Sequence, residues 1–398
     1  MKKNLKLIGL SLVSCLALFL DYSFFQFKSF EEVTYIQFYH MNVLLMAFMM
    51  IILYFLYKKN EQTKISKSKV FLCWLFAMFM VIGEAIVTKG TFTLIYKSII
   101  NVILTIVKGI GYANLFKIGF CYLDLFLKKK WKQRKCKNKK IRWYLEQFEK
   151  HPFKTSFITI VIAWSIYMVA FYPIVLSPDP SFQIRQYYNV PTKYIDWVIQ
   201  RDPNVFMTAH HPVLQTFLLG WSIDLGRFLI NDNFGLFIYS FFQSMIYISV
   251  FAYTIAFSIN RGVKRNRALL LLGLYLIVPM FAFYSISAVK DTLYTSFMIL
   301  FVLIVYDIIE RQKMEKMSFK TVVFFSLVML LICLFRHNGL YVIALTIPFI
   351  WLYSKPNRLY IIAAFLFAFF SINMVDKVIV PSLGISDGSI REMLSVPF

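Results

Sequence analysis

Residues 212–230 read PVLQTFLLGWSIDLGRFLI. The stretch is nearly as long and as apolar as a membrane span, which needs about 20 residues. It also carries Asp224 and Arg227. Whether it crosses decides the orientation of everything after it. A crossing would bury both charged groups in hydrocarbon and put Arg261, Lys264, Arg265 and Arg267 opposite the earlier basic loops, inverting the later ones. The charge pattern stays consistent only if 212–230 is a juxtamembrane helix lying on or dipping into the outer surface. Asn231-Asp232-Asn233 then leads into the next span. A true crossing is the competing reading.

Outward from this stretch, apolar runs recur along the chain. Spans are expected at about 6–20, 39–57, 70–88, 98–120, 156–176, 234–258, 268–285, 292–309, 320–335, 340–354 and 358–375. The chain is 59% hydrophobic, and only 16% of its residues are charged, against about a quarter in soluble domains. The expected fold is therefore an all-α polytopic membrane protein with about 11 transmembrane helices. The fourth span is interrupted by Lys97, Lys108 and Lys117.

Thirty of the 43 Lys and Arg residues fall in six groups on one side of this arrangement. The groups lie at 2–6, 58–69, 128–154, 261–267, 311–320 and 355–358, and the positive-inside rule makes their side cytoplasmic. The net charge of +23 thus belongs to short loops, and nucleic acid is not an expected partner. The partner is the lipid bilayer, and the localisation is the cell membrane, multi-pass.

The charge pattern divides the chain into an N-terminal four-span block (1–127), a basic cytoplasmic loop (128–155), a transmembrane core (156–375) with its first outer loop at 177–233, and an outer tail (376–398). The basic loop serves as an orientation signal or as an anionic-lipid contact. The N-terminus has the outline of a signal peptide, but its apolar run continues past Cys15, which favours an uncleaved first span. Five scattered cysteines lack paired spacing for zinc or for a disulfide framework.

The polar residues able to do chemistry gather at the charge-poor, outer corners. Asp179 sits between Pro178 and Pro180, about three residues past a membrane exit, on what reads as a stiff turn suited to a general base. An ordinary exit turn is the plain alternative. Gln183 and Gln186 follow. His210-His211-Pro212 opens the juxtamembrane helix, where imidazole can bind phosphate, do acid/base work or cap the helix. Lys290-Asp291 and Arg336-His337-Asn338-Gly339 occupy the next two outer corners. Lys290 and Arg336 there either snorkel, pair locally (Lys290 with Asp291), or clamp a phosphate. Glu84 and Asp307 read as span-edge carboxylates without a role.

From Phe171 onward the chain resembles the GT-C superfamily of membrane glycosyltransferases. The resemblance lies in Tyr172-Pro173 through Ser177-Pro178-Asp179, then Gln183 and Gln186, His210-His211-Pro212, Lys290-Asp291 and Arg336 to Gly339. It covers roughly 156–398 and looks most like a Gram-positive bacterial branch. It implies a GT-C-like core, a polyprenyl-phosphate-linked sugar donor used on the outer face, and an essential acidic residue in the first outer loop, at the position of Asp179. Paired acidic residues, common in that loop of the superfamily, are replaced here by Asp179-Pro180-Ser181, which puts a metal-bound mechanism in doubt; the sequence allows a divalent cation without requiring one. Relatives extend beyond Phe398, which implies a truncated product or a fragment.

The expected function is a glycosyltransferase using a polyprenyl-phosphate sugar and a cell-envelope glycan or lipid acceptor. Asp179 is the catalytic candidate. His210, His211, Lys290, Arg336, His337, Asn338, Gln183 and Gln186 are candidates for binding donor phosphate or acceptor. The alternatives are a transporter or flippase, which predicts polar groups at mid-span, and a polymerase or ligase of lipid-linked glycans.

Overall fold

The computed structural model describes residues 2–20, 43–60, 63, 65–128, 137–191, 205–310 and 315–386. Among these residues the fold is helical, with two isolated backbone bridges and no extended strand. The chain divides into two compact units, residues 1–132 and 133–397.

The first unit holds α1 (Lys2–Phe19), α2 (Val43–Asn60), α3 (Lys67–Lys89), the short α4 (Thr93–Tyr96) and α5 (Ile99–Lys128). Helices α1, α3, α4 and α5 pack around small side chains such as Ala17, Ala77 and Ala85, and α2 packs on α1 and α5 through Leu53 and Tyr57. Ser66 caps α3 by accepting from the Lys69 amide, and Gly90 ends it at a φ of 67°. Helix α5 runs on to Lys128, past the expected end near 120, because Lys108 turns inward instead of breaking it. Lys108 is 1% exposed and lies 2.7 Å from Glu84. Its ammonium also donates to the Ala17 carbonyl at 3.1 Å and to that of Leu20. The Tyr112 hydroxyl donates to the same Glu84 carboxylate at 3.1 Å. Glu84, near the end of its helix, therefore has a structural partner in buried Lys108, which corrects its reading as a residue without a role.

The second unit opens with α6 (Lys139–Lys150), which makes part of the expected loop helical. Fully buried Phe148 anchors it, and Glu149 meets Arg265 at 3.2 Å. Next come α7 (Pro152–Ala170), α8 (Pro178–Tyr187), α9 (Val213–Leu229) and α10 (Asp232–Asn260). They are followed by α11 (Arg265–Ile277), α12 (Pro279–Ser285), α13 (Lys290–Glu310), α14 (Phe319–Phe335), α15 (Gly339–Tyr353) and α16 (Arg358–Met374). The expected single span at 268–285 is instead bent by 65° between α11 and α12. Pro279 has no amide hydrogen to continue the α11 ladder, so a new helix starts there. One apolar core surrounds Trp164, whose ring packs on Tyr247 and Phe251 and whose Nε1 donates to the Tyr275 carbonyl. Another holds α13 to α16, with Phe301 stacked on Phe325.

Seven helical segments among the described residues are long and apolar enough to cross a membrane, or eight if the bent pair is one span. Helices of 10–17 residues at Asn4–Phe19, Phe319–Phe335 and Gly339–Tyr353 are also apolar.

The 212–230 stretch forms α9, with Pro212 just before its first turn. It folds back on the start of α10 as an antiparallel hairpin, so closely that a Cβ on Gly226 would lie 2.1 Å from the Gly235 nitrogen. Asn231 makes the reversal by capping α10 at the Phe234 amide. Asp224 accepts from Tyr187 and Tyr188, each at 2.7 Å, and Arg227 pairs with Asp232 at 2.6 Å. Both charges that made the stretch a poor span are thus neutralised at its far end. Burial, then the bond to Asp224, pushes the Tyr187 hydroxyl pKa up to about 12. Gly226→Ala should separate the hairpin at a cost of about 1–3 kcal/mol. Thermal unfolding in detergent checks this, and an unchanged midpoint would contradict the close crossing.

Candidate functional site

After α7 the chain leaves as an extended segment. The Val175 amide donates to the Ile286 carbonyl at 3.1 Å, and the Ala288 amide returns a bond to the Val175 carbonyl at 3.0 Å. This bridge pins the approach to Asp179 beside the approach to Lys290. Buried amides fix the 285–288 turn from two other helices. Gln243 of α10 donates to the Ser285 and Ser287 carbonyls at 3.0 and 2.8 Å, and Gln215 of α9 donates to the Ala288 carbonyl at 3.1 Å. A carbonyl only accepts, so the NH2 of each glutamine must face it. The Oε1 atoms of Gln215 and Gln243 are left buried without a partner, as is that of Gln186. Buried acceptors of this kind call for a donor such as water or a ligand hydroxyl.

Asp179 is not on a turn. Pro178 starts α8, its missing amide hydrogen costing nothing at that position, and Asp179 falls in the first helical turn. The free amides there favour its negative charge. Its side chain is 54% exposed and lies 3.8 Å from the Lys290 ammonium. The local alternative, Lys290 with Asp291, is not what forms: Asp291 pairs with Arg336. The Arg336 guanidinium also lies over the Tyr294 ring, 5.5 Å from its centroid.

His211 is 3% exposed, and neither ring nitrogen has a hydrogen-bond partner. Burial, then the charge of Lys290, then His210 and His337 push its pKa down to about 4, with Asp179 opposing. The imidazole is neutral at physiological pH. The His210 ring meets it edge-on at 4.6 Å. His337 Nε2 lies 3.1 Å from the Ala209 carbonyl, an acceptor, so that nitrogen carries the hydrogen.

Asp179, His210, His211, Lys290 and His337 therefore share one electrostatic neighbourhood, reached from four separate parts of the sequence. Arg336 joins through Asp291, the residue after Lys290. Gln183 supports the site from beneath by donating to Thr216 at 3.1 Å. Gln186 is buried in α8, whereas Asn338 is exposed at the start of α15 and makes no capping bond. Sequence reasoning missed Gln215 and Gln243. Their signal was an amide inside an apolar run, which only a fixed partner makes tolerable. It also missed Asp376 and Tyr341, which line a cavity of about 200 Å³ with His337. That cavity borders the Met207–Ala209 segment, which is bridged to Ser386 by amide–carbonyl bonds of 2.8 and 3.0 Å. The expected outer tail is thus partly built into the site, through a π-helical turn at Val375–Ile379; its residues from 387 lie outside those described. Among the described residues, no group of three or more His, Cys, Asp or Glu side chains is placed to hold a metal ion.

The His211 environment gives a pH prediction. Above pH 6.5 the ring is neutral both folded and unfolded. As pH falls from 6.5 toward 4, the unfolded chain takes up a proton that the folded site refuses, so stability drops in that window by on the order of 3 kcal/mol. His211→Gln should flatten this decline in midpoints measured between pH 7.5 and 4. An identical decline in the variant would place its cause elsewhere.

Long apolar helices carrying their polar side chains at clustered ends define a multi-pass helical membrane protein. The chain belongs to the family described as Family of unknown function (DUF6020), which matches residues 26–398. No curated protein matches the chain, and no solved structure does.

Proposed function

We propose that the protein is a membrane glycosyltransferase. It moves a sugar from a polyprenyl-phosphate donor to a cell-envelope glycan or lipid acceptor at the outer face of the cell membrane. The supporting observation is the pairing of Asp179 with Lys290 beside neutral, buried His211, at the ends of apolar helices. In this reading the three shorter apolar helices also cross, giving about eleven crossings. Helix α9 stays at the outer surface, and the second unit is a GT-C-like core.

The acceptor hydroxyl gives its proton to the Asp179 carboxylate while its oxygen attacks the anomeric carbon. The bond from that carbon to the phosphate oxygen breaks, with inversion. Negative charge builds on the departing polyprenyl phosphate, where Lys290 and Arg336 stabilise it. His210, His211 and His337 line the approach, and the unpartnered glutamine carbonyls suit sugar hydroxyls.

The transporter reading draws on one observation, the buried Lys108 paired with Glu84 inside the first unit. The Lys108 ammonium meets Glu84, Ala17 and Leu20, which suits helix cement better than a translocation path. A radiolabelled polyprenyl-phosphate sugar incubated with membranes containing the full chain tests the proposal. Release of polyprenyl phosphate with labelled acceptor supports transfer. Release of a polyprenyl diphosphate from a diphosphate-linked substrate supports the polymerase, and movement of label without bond cleavage supports the flippase.

A further inference from the structure

At the end of α10, α13 and α14 away from Lys290 and Arg336 lies a second cavity, about 810 Å³ in volume. Its polar wall is made by Asn260, Arg261, Asp307, Lys320 and Thr321. Its apolar wall includes the aromatic rings of Tyr253, Phe257 and Phe324. None of these residues belongs to the proposed catalytic site.

The charges in this cavity are unequal. Arg261 pairs with Asp307, and its guanidinium lies over the rings of Phe257 and Tyr306 at 4.9 and 5.5 Å. The pair is fixed and neutral, and it corrects the reading of Asp307 as a residue without a role. Lys320, one residue into α14, has no ion pair among the described residues. The cavity therefore carries one uncompensated positive charge. A phosphodiester has one negative charge and oxygens able to accept from Lys320, from the Asn260 amide and from the outer N–H groups of Arg261. The helices end at this level, where lipid headgroups meet hydrocarbon, and the aromatic wall continues along α10 and α14 toward the hydrocarbon. Free inorganic phosphate would use the polar wall alone, whereas a lipid would use both.

We infer that this cavity binds the phosphodiester headgroup of a net-anionic membrane lipid, with its chains along Tyr253, Phe257 and Phe324. The charge pattern of the loops puts this end in the cytoplasm, where acidic headgroups attract basic side chains. The inference does not depend on the catalytic reading.

Native mass spectrometry of the detergent-released full chain tests it, with dioctanoyl phosphatidylglycerol, dioctanoyl phosphatidylcholine and inorganic phosphate as probes. The expected result is one tightly held phosphatidylglycerol, not displaced by millimolar inorganic phosphate and weaker by roughly fivefold in Lys320→Gln. Lys320→Arg should restore binding. Lys320 is exposed and has no ion pair among the described residues, so these variants leave the fold intact, which Arg261 variants would not. Equal retention of phosphatidylcholine, displacement by inorganic phosphate, or unchanged binding in Lys320→Gln would each overturn the assignment.

Discussion

Asp179→Asn should lower sugar transfer by about two to four orders of magnitude while leaving the protein folded. The substitution keeps shape and removes the group that takes the acceptor proton in the proposed mechanism. Asp179 is half exposed, and its ion-pair contact among the described residues, Lys290 at 3.8 Å, is long, so little structure depends on it. On the proposed mechanism the loss should fall on kcat, because the donor-binding roles proposed for Lys290 and Arg336 do not require the carboxylate. Losing that negative charge also removes the influence that raises the His211 pKa, so His211 stays neutral in the variant. Donor hydrolysis and transfer measured side by side provide the check. Full transfer activity in Asp179→Asn would remove this residue from the mechanism.

Lys108→Met should destabilise the first unit by about 3–5 kcal/mol, since removing one member of a buried pair strands the other. Glu84 would keep the Tyr112 hydroxyl but lose its cation, and the Ala17 and Leu20 carbonyls would lose a donor. The double variant Lys108→Met with Glu84→Gln should recover part of the loss, because Glu84 is then no longer a charge without its described cation. Thermal unfolding of wild type and the three variants in one detergent gives the cycle. Additive losses would show that the two side chains do not act as a pair.

The helical class was legible because apolar length and charge placement are properties of the residues themselves. The 212–230 stretch was legible as an unusual segment for the same reason, since Asp224 and Arg227 are hard to place in hydrocarbon. Their partners were not legible: Tyr187 and Tyr188 lie in another helix, and Asp232 pairs only once the chain reverses at Asn231. The same limit applied at the site. Asp179, His211, Lys290 and His337 could be singled out one at a time as polar groups at corners. The exchange of partners, Lys290 to Asp179 and Asp291 to Arg336, depends on the bridge between Val175 and Ser287. No local pattern encodes a contact across more than a hundred residues. Gln215 and Gln243 were hidden for a related reason: an amide in an apolar run looks like noise until the carbonyls it holds are known.

The bridge from Thr208 to Ser386 has a consequence for biosynthesis. The Met207–Ala209 segment, with His210 and His211 next to it, emerges from the ribosome roughly 180 residues before Ser386, its bridge partner. Through that interval the helices of the second unit can enter the bilayer one by one while the histidine segment has nothing to pair with. The candidate site is thus completed only after Ile385 and Ser386 arrive, and a nascent chain stalled before them would be membrane-inserted with that site unfinished.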